Sequence, residues 1–220
     1  MIFLARDLLE RGLIELKDKN IYFLEVVRGL KQEADRVFAA VEMMNPDILA
    51  MSISKEEIEG LREYIKNPCE IQMSRYEELY AERLSRFGDV YLPPPCYLAG
   101  LEAAEKNHIE LIGVDMDNET HTTAYCALVN GRELLVHSMR LKLLRMRSFK
   151  ADNPWDFAIL WDRRVNNMRG FRQLEREREK FMATALERLA LSKKKILALI
   201  DVERAANVRK LISINEMKRD

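Results

Sequence analysis

Glycine is too scarce in this chain to build a phosphate-cradling loop. There are 8, none clustered, and no GxGxxG, Walker A or GxSxG pattern occurs. Cysteine is scarcer still. Cys69, Cys96 and Cys126 are far apart, odd in number and without a CxxC pair, which excludes a disulfide framework and a zinc ribbon. Reduced thiols in a cytoplasmic protein are the plain expectation. Histidine is limited to His108, His121 and His137, with no HExxH and no close pair. Each is read as structural, and neither a metal nor a cofactor is expected. A dominant charge sign is also missing: Lys+Arg and Asp+Glu both number 36. Without a net charge there is no global field to draw nucleic acid or an anionic membrane, so nucleic acid is not an expected partner. No apolar run approaches the ~18 uncharged residues of a membrane span. Charges interrupt the opening stretch 1–11, so it is not read as a signal peptide.

What is present is a core. Apolar residues make up 48% of the 220 positions and charged residues 33%, a balance that argues against disorder and suits one domain over 1–220. Four apolar runs, 21–27, 47–53, 110–116 and 195–201, are nearly continuous rather than alternating. That is the pattern of strands covered on both faces. Helical spacing fills 3–16, 29–44, 55–66, 74–87, 96–107, 118–148, 153–166, 170–191 and 203–213. Ser54, with Glu57 three places on, is the expected cap of the helix at 55. The order predicts an α/β fold: a small, mostly parallel sheet of about four strands flanked by helices. A long helical insertion, about 118–191, interrupts it as a lid or dimerisation arm. The methionine-rich insertion makes a homodimer a reasonable expectation. High Arg and Glu content suits a heat-adapted source.

Polar residues at the strand ends are the first site candidates, because ligands in open α/β sheets bind beyond the carboxyl ends of the strands. Asp115, Asp117 and Glu119 follow the third strand. The plainer reading is that Asp117 or Asn118 caps the next helix, but Asp115 remains a candidate. In the helix 170–191, Arg178 interrupts the stripe Phe171, Leu174, Phe181, Ala185 and Leu189, with Glu177 beside it. An arginine on an apolar stripe needs a carboxylate partner. Asp115, Glu177 and Arg178 are therefore the candidate catalytic core. The basic run Arg140, Lys142, Arg145, Arg147 and Lys150 does not share one helical face and reads as a solvated edge.

The segment from Leu98-Ala99-Gly100-Leu101 to Asp115-Met116-Asp117-Asn118-Glu119-Thr120 resembles the TraB/PrgY family. There a small-residue helix leads into a strand ending Leu-Ile-Asp-Arg-Asp, and a threonine opens a long helix. Glu177-Arg178-Glu179-Lys180-Phe181-Met182-Ala183 resembles that family's Glu-Arg-Asp-x-x-Met-Ala helix. Pro46-Asp47-Ile48-Leu49-Ala50 resembles its entry to the second strand. The element order matches over most of 20–213.

The family's wider group, with GumN-like and TIKI-like members, includes metal-dependent proteases. In that group a Gly-x-x-His follows the first strand, a glutamate ends the second, and another Gly-x-x-His follows the last. This chain has Glu25-Val26-Val27-Arg28, Ser52 and Asp201-Val202-Glu203-Arg204 at those places. A guanidinium stays protonated and has no lone pair for a metal. The resemblance thus implies a TraB-like scaffold without metalloprotease activity, acting by binding or assembly. Its site is Glu25, Arg28, Ser52, Asp115, Arg178, Asp201 and Arg204. The charges are expected either to neutralise one another, Glu25 and Asp201 against Arg28 and Arg204, or to form a pocket for a small anionic ligand. Alternatives are a hydrolase acting on a small anionic or peptide substrate, and nucleic-acid binding through the basic run.

Overall fold

The computed structural model describes residues 13–16, 19–144, 149–192 and 194–216. Its sheet holds Leu13–Leu16 (β1), Ile21–Val26 (β2), Ile48–Met51 (β3), Glu110–Gly113 (β4) and Ile196–Asp201 (β5). Their spatial order is β1-β2-β5-β3-β4. β1 pairs antiparallel with β2, and every other neighbour is parallel. The central strands β3 and β5 are buried at every position. That is why their runs are continuously apolar.

Alternation along the strands sorts side chains onto two faces. Leu24, Val26, Leu49, Met51, Leu197 and Leu199 pack against Gln32–Met44 (α1), Lys55–Lys66 (α2) and Pro95–Lys106 (α4). Ile21, Phe23, Ile48, Ala50, Ile196 and Ile200 pack against Arg169–Ala190 (α8) and Val202–Glu216 (α9). Full burial of one such Leu, Ile or Phe contributes about 1.5–3 kcal/mol. A one-residue slip of register would exchange the faces, so the pairing is strongly specified.

The remaining helices are Arg75–Leu84 (α3), Asn118–Leu128 (α5), Gly131–Leu144 (α6) and Pro154–Val165 (α7). Local chemistry sets where helices start. Ser54 and Ser74 each close a capping box with the glutamate three residues on, Glu57 and Glu77. Asp117 accepts from the Thr120 N–H and caps α5, while Asn153 caps α7. Each cap is worth about 1 kcal/mol. Among the described residues no helix is long and apolar enough to cross a membrane.

Three expectations change. The sheet has five strands rather than four. The helix expected at 3–16 lies outside the described residues up to 12, and 13–16 form β1. There the hydrogen bonds offered by the open edge of β2 outweigh local helical spacing. The helix expected at 118–148 breaks at Val129–Asn130. Asn130 caps α6, accepting from the Glu133 N–H at 3.0 Å, and 145–148 lie outside the described residues.

Two glycines make opposite predictions. A Cβ on Gly113 would sit 2.7 Å from the Ile53 carbonyl oxygen, where backbone cannot give way, whereas one on Gly60 would meet nothing within 4 Å. Gly113→Ala should cost about 1–3 kcal/mol. Gly60→Ala, in an exposed helix interior, should add about 0.5–1 kcal/mol. Urea denaturation of the two variants checks both signs.

Candidate functional site

The four parallel strands end together, and their last residues gather the polar candidates. Val26 of β2 lies beside Asp201 of β5. Just beyond, Gly29 turns the chain with φ of +99°, a conformation that favours glycine. The Tyr91 N–H donates to the Gly29 carbonyl at 2.8 Å and the Lys31 N–H to that of Asp89 at 2.9 Å, which pins the turn. Arg28 then faces the end of β5. Its Nε lies 3.2 Å from Asp201 Oδ2 and its Nη2 3.2 Å from Glu203 Oε1. The arginine side chain is 43% exposed and the aspartate 3%, so the pair is sealed on one side and open on the other.

Asp201 is held from behind. The Tyr97 hydroxyl donates to its Oδ1. Ser52 Oγ lies 3.1 Å from Tyr97 Oη and accepts from the Asp201 N–H at 3.0 Å. Burial pushes the Asp201 carboxyl up to about 7, although Arg28 and Tyr97 both pull it down. Tyr97 stays a neutral donor, because burial and then Asp201 push its phenol well up.

Two further arginines extend the cluster across the strand ends. Arg178 grips Asp115 through Nε and Nη2, and its Nη1 lies 2.9 Å from Glu175 Oε2. Burial opposes its charge, but Glu175 and Asp115 outweigh burial and raise its pKa. Arg204 pairs with Asp162, with Glu175 at 3.0 Å and with Glu179 at 3.4 Å. Asn207 also donates to Glu179, at 3.0 Å. Glu175 bridges the two arginines. In all, Arg28, Arg178 and Arg204 face the six carboxylates Asp115, Asp162, Glu175, Glu179, Asp201 and Glu203.

Beside this cluster opens a cleft of about 720 Å³, within the usual range for small-molecule sites. Arg28, Glu203, Asp162 and Tyr97 form its polar end. Tyr76 and Tyr80 of α3 and Trp161 of α7 form an aromatic wall. The Trp161 indole N–H donates to Tyr76 Oη at 2.9 Å, and Tyr80 stacks on Phe157. Burial pushes the Tyr76 phenol up to about 12.

Most of the sequence candidates meet here, with different partners. Segments 25–28 and 201–204 are adjacent, and Arg28 pairs with Asp201. Glu25 pairs instead with Arg209 of α9, and Arg204 pairs with carboxylates of α7 and α8. The reason is strand alternation: Glu25 shares the face of Phe23, over which α9 and Arg209 lie. Asp115 and Arg178 join one another but do not line the cleft. Glu177 points away, with its carboxylate 2.8 Å from Lys180 Nζ. Of the basic run, Arg140 is half-buried and Lys142 and Lys150 are exposed, while Arg145 and Arg147 lie outside the described residues. Sequence reasoning missed Tyr76, Tyr80, Tyr97, Trp161, Asp162 and Glu175. The i, i+4 spacing of Tyr76 and Tyr80, and Glu175 three residues before Arg178, were the available signals.

Among the described residues, no three His, Cys, Asp or Glu side chains are grouped to hold a metal ion. Arg28 and Arg204 are guanidiniums already bound to carboxylates, so the residues present do not fit such a metal. No protein-family model matches the sequence, and no curated protein does.

Two measurements probe the cluster. Arg204→Ala leaves Asp162, Glu175 and Glu179 without that cation, and should cost about 3–5 kcal/mol. Lys180→Ala, which breaks an exposed pair, should cost about 0–1 kcal/mol in the same urea titration. The second concerns pH. Folding raises the Asp201 pKa from its ordinary 3.8 to about 7, so the folded state holds this proton more tightly. Its stabilising contribution is full below pH about 4 and is lost as pH rises to about 7. Stability should therefore fall with pH more steeply in the wild type than in Asp201→Asn; equal slopes would place the titration elsewhere.

Proposed function

We propose that this chain is a TraB-like protein without metalloprotease activity. It acts in the cytoplasm by binding a small ligand in the strand-end cleft and by assembling with a second copy of itself. One observation carries the reading. Arg28 and Arg204, where the resemblance places metal-binding histidines, sit in ion pairs with Asp201, Glu203, Asp162, Glu175 and Glu179, and Arg28 opens into an aromatic cleft. A cation bound by two or three carboxylates has no role as a metal ligand, yet it fixes the shape of a binding floor. The free thiols of Cys69, Cys96 and Cys126 suit a reducing compartment. Self-association is supported by α6, where Leu135, Met139 and Leu143 lie exposed at i, i+4 and i+8.

A second reading, a hydrolase on a small peptide substrate, is favoured by Asp201. A carboxyl pushed up to about 7 and bonded to the cleft-lining Tyr97 has the acidity of a general acid–base group.

Metal analysis of protein purified without chelators tests the first reading. We expect no stoichiometric zinc, manganese or cobalt, and no peptide hydrolysis after these ions are added. A stoichiometric metal overturns it and returns the metal-dependent hydrolase. Leu135→Lys should shift sedimentation toward the monomer; a wild type already monomeric at high concentration removes the assembly half of the proposal.

A further inference from the structure

The charge balance of the cleft identifies the kind of ligand it fits. Among the described residues lining it, five are carboxylates, Glu57, Glu63, Glu77, Asp162 and Glu203, and one is basic, Arg28. The arginine is already neutralised by Asp201 and Glu203. The field inside is therefore negative, and apolar walls such as Leu61, Ile71 and Ala158 focus it. An entering anion would meet a guanidinium already paired with Asp201 and Glu203, an Asp162 already paired with Arg204, and the carboxylates Glu57, Glu63 and Glu77.

Acceptors for a cation remain open at the polar end. Glu203 meets Arg28 through Oε1, and Asp162 meets Arg204 and Asn166 through Oδ1. Oε2 of Glu203 and Oδ2 of Asp162 take no hydrogen bond from the described residues. The Tyr80 hydroxyl makes none with them either, although it is deep enough for burial to push its pKa well up. Beside these oxygens stand the rings of Tyr76, Tyr80 and Trp161. Aromatic faces attract cations through their ring quadrupoles.

We infer that the cleft binds an organic cation: an ammonium or guanidinium group seated between Glu203 and Asp162, carried on an apolar body that packs along the Tyr76–Tyr80–Trp161 wall. This rests on the reading of the cleft as a binding site and names its ligand class. Neither open carboxylate oxygen requires movement of the ion pairs to accept an N–H.

Three probes with one body separate the two ideas: phenylpropylamine, phenylpropanol and phenylpropionate, titrated calorimetrically into the full chain. The amine is expected to bind about tenfold more tightly than the alcohol, with the acid weakest and the amine's advantage reduced by salt. Glu203→Gln should erase most of that advantage. Glu63→Lys, an exposed rim change that leaves the fold intact, should weaken the amine severalfold and spare the alcohol. Equal binding of all three, or preference for the acid, overturns the cation assignment while keeping the cleft as a binding site. Binding of none overturns the binding reading itself.

Discussion

The arrangement of three guanidiniums among six carboxylates at the strand ends is the constraint on which the rest of the molecule turns. Each arginine joins elements distant in sequence. Arg204, in the first turn of α9, draws Asp162 of α7 and Glu175 and Glu179 of α8 to one point. Arg178 ties α8 to Asp115 beyond β4, and Arg28 ties the exit of β2 to β5 and α9. Taking charges out of water costs several kcal/mol per ion, and only close, multiply hydrogen-bonded pairing offsets it. Such a cluster is therefore a poor source of stability and a strong source of specificity. Removing one cation strands two or three anions, so the helices over the strand ends have a single acceptable arrangement.

The apolar core makes that arrangement possible. Both faces of β5 and β3 are covered, and Gly100 lets α4 approach so closely that a Cβ would meet Met51 Sδ at 2.9 Å and Leu199 Cδ1 at 3.0 Å. That approach delivers Tyr97, near the start of α4, to Asp201. On the other side of the cleft α7 does not reach the sheet core. It packs through Phe157 and Trp161 against α3 and Phe149. The guanidinium of Arg86 closes this layer by donating to the Phe149 and Ala151 carbonyls. The cleft is the space left between a rigid strand-end floor and this separate aromatic layer.

Much of this could be read from the sequence, and the failures have physical causes. β3 and β5 announced themselves because burial on both faces removes polar alternation, and β2 because it is covered at most positions, whereas β4, partly exposed at the sheet edge, was marked by its short apolar run alone. The capping box at Ser54–Glu57 was visible because it is wholly local. β1 was not, since an edge strand takes its identity from the hydrogen bonds a neighbour offers. The break at Val129–Asn130 was legible in principle, as Asn130 and Glu133 stand at capping distance, but apolar spacing on both sides masked it. In the site, the adjacency of 25–28 and 201–204 was expected only through the resemblance, and it is the parallel pairing of β2 with β5 that brings them together. The exchange of partners was not expected. Glu25 and Val26 point to opposite faces, and only the placement of α9 puts Arg209 within reach of Glu25.

The negative field that selects a cation also governs the Asp201 proton. Arg28 touches both the cleft and the buried carboxyl, and Asp201 additionally senses Glu203, which pushes its pKa up. A cation seated at Glu203 would relieve that push and favour ionised Asp201. By reciprocity of linked equilibria, ionising Asp201 must then favour the cation by the same factor. Affinity for an amine therefore rises as pH passes upward through about 7, the value to which burial has moved this acid, while an anionic ligand gains nothing. Burial of Asp201 behind Tyr97 and Ser52 is thus more than a structural burden at the end of β5. It places a proton switch directly beneath the only basic group that the described lining residues present to the cleft.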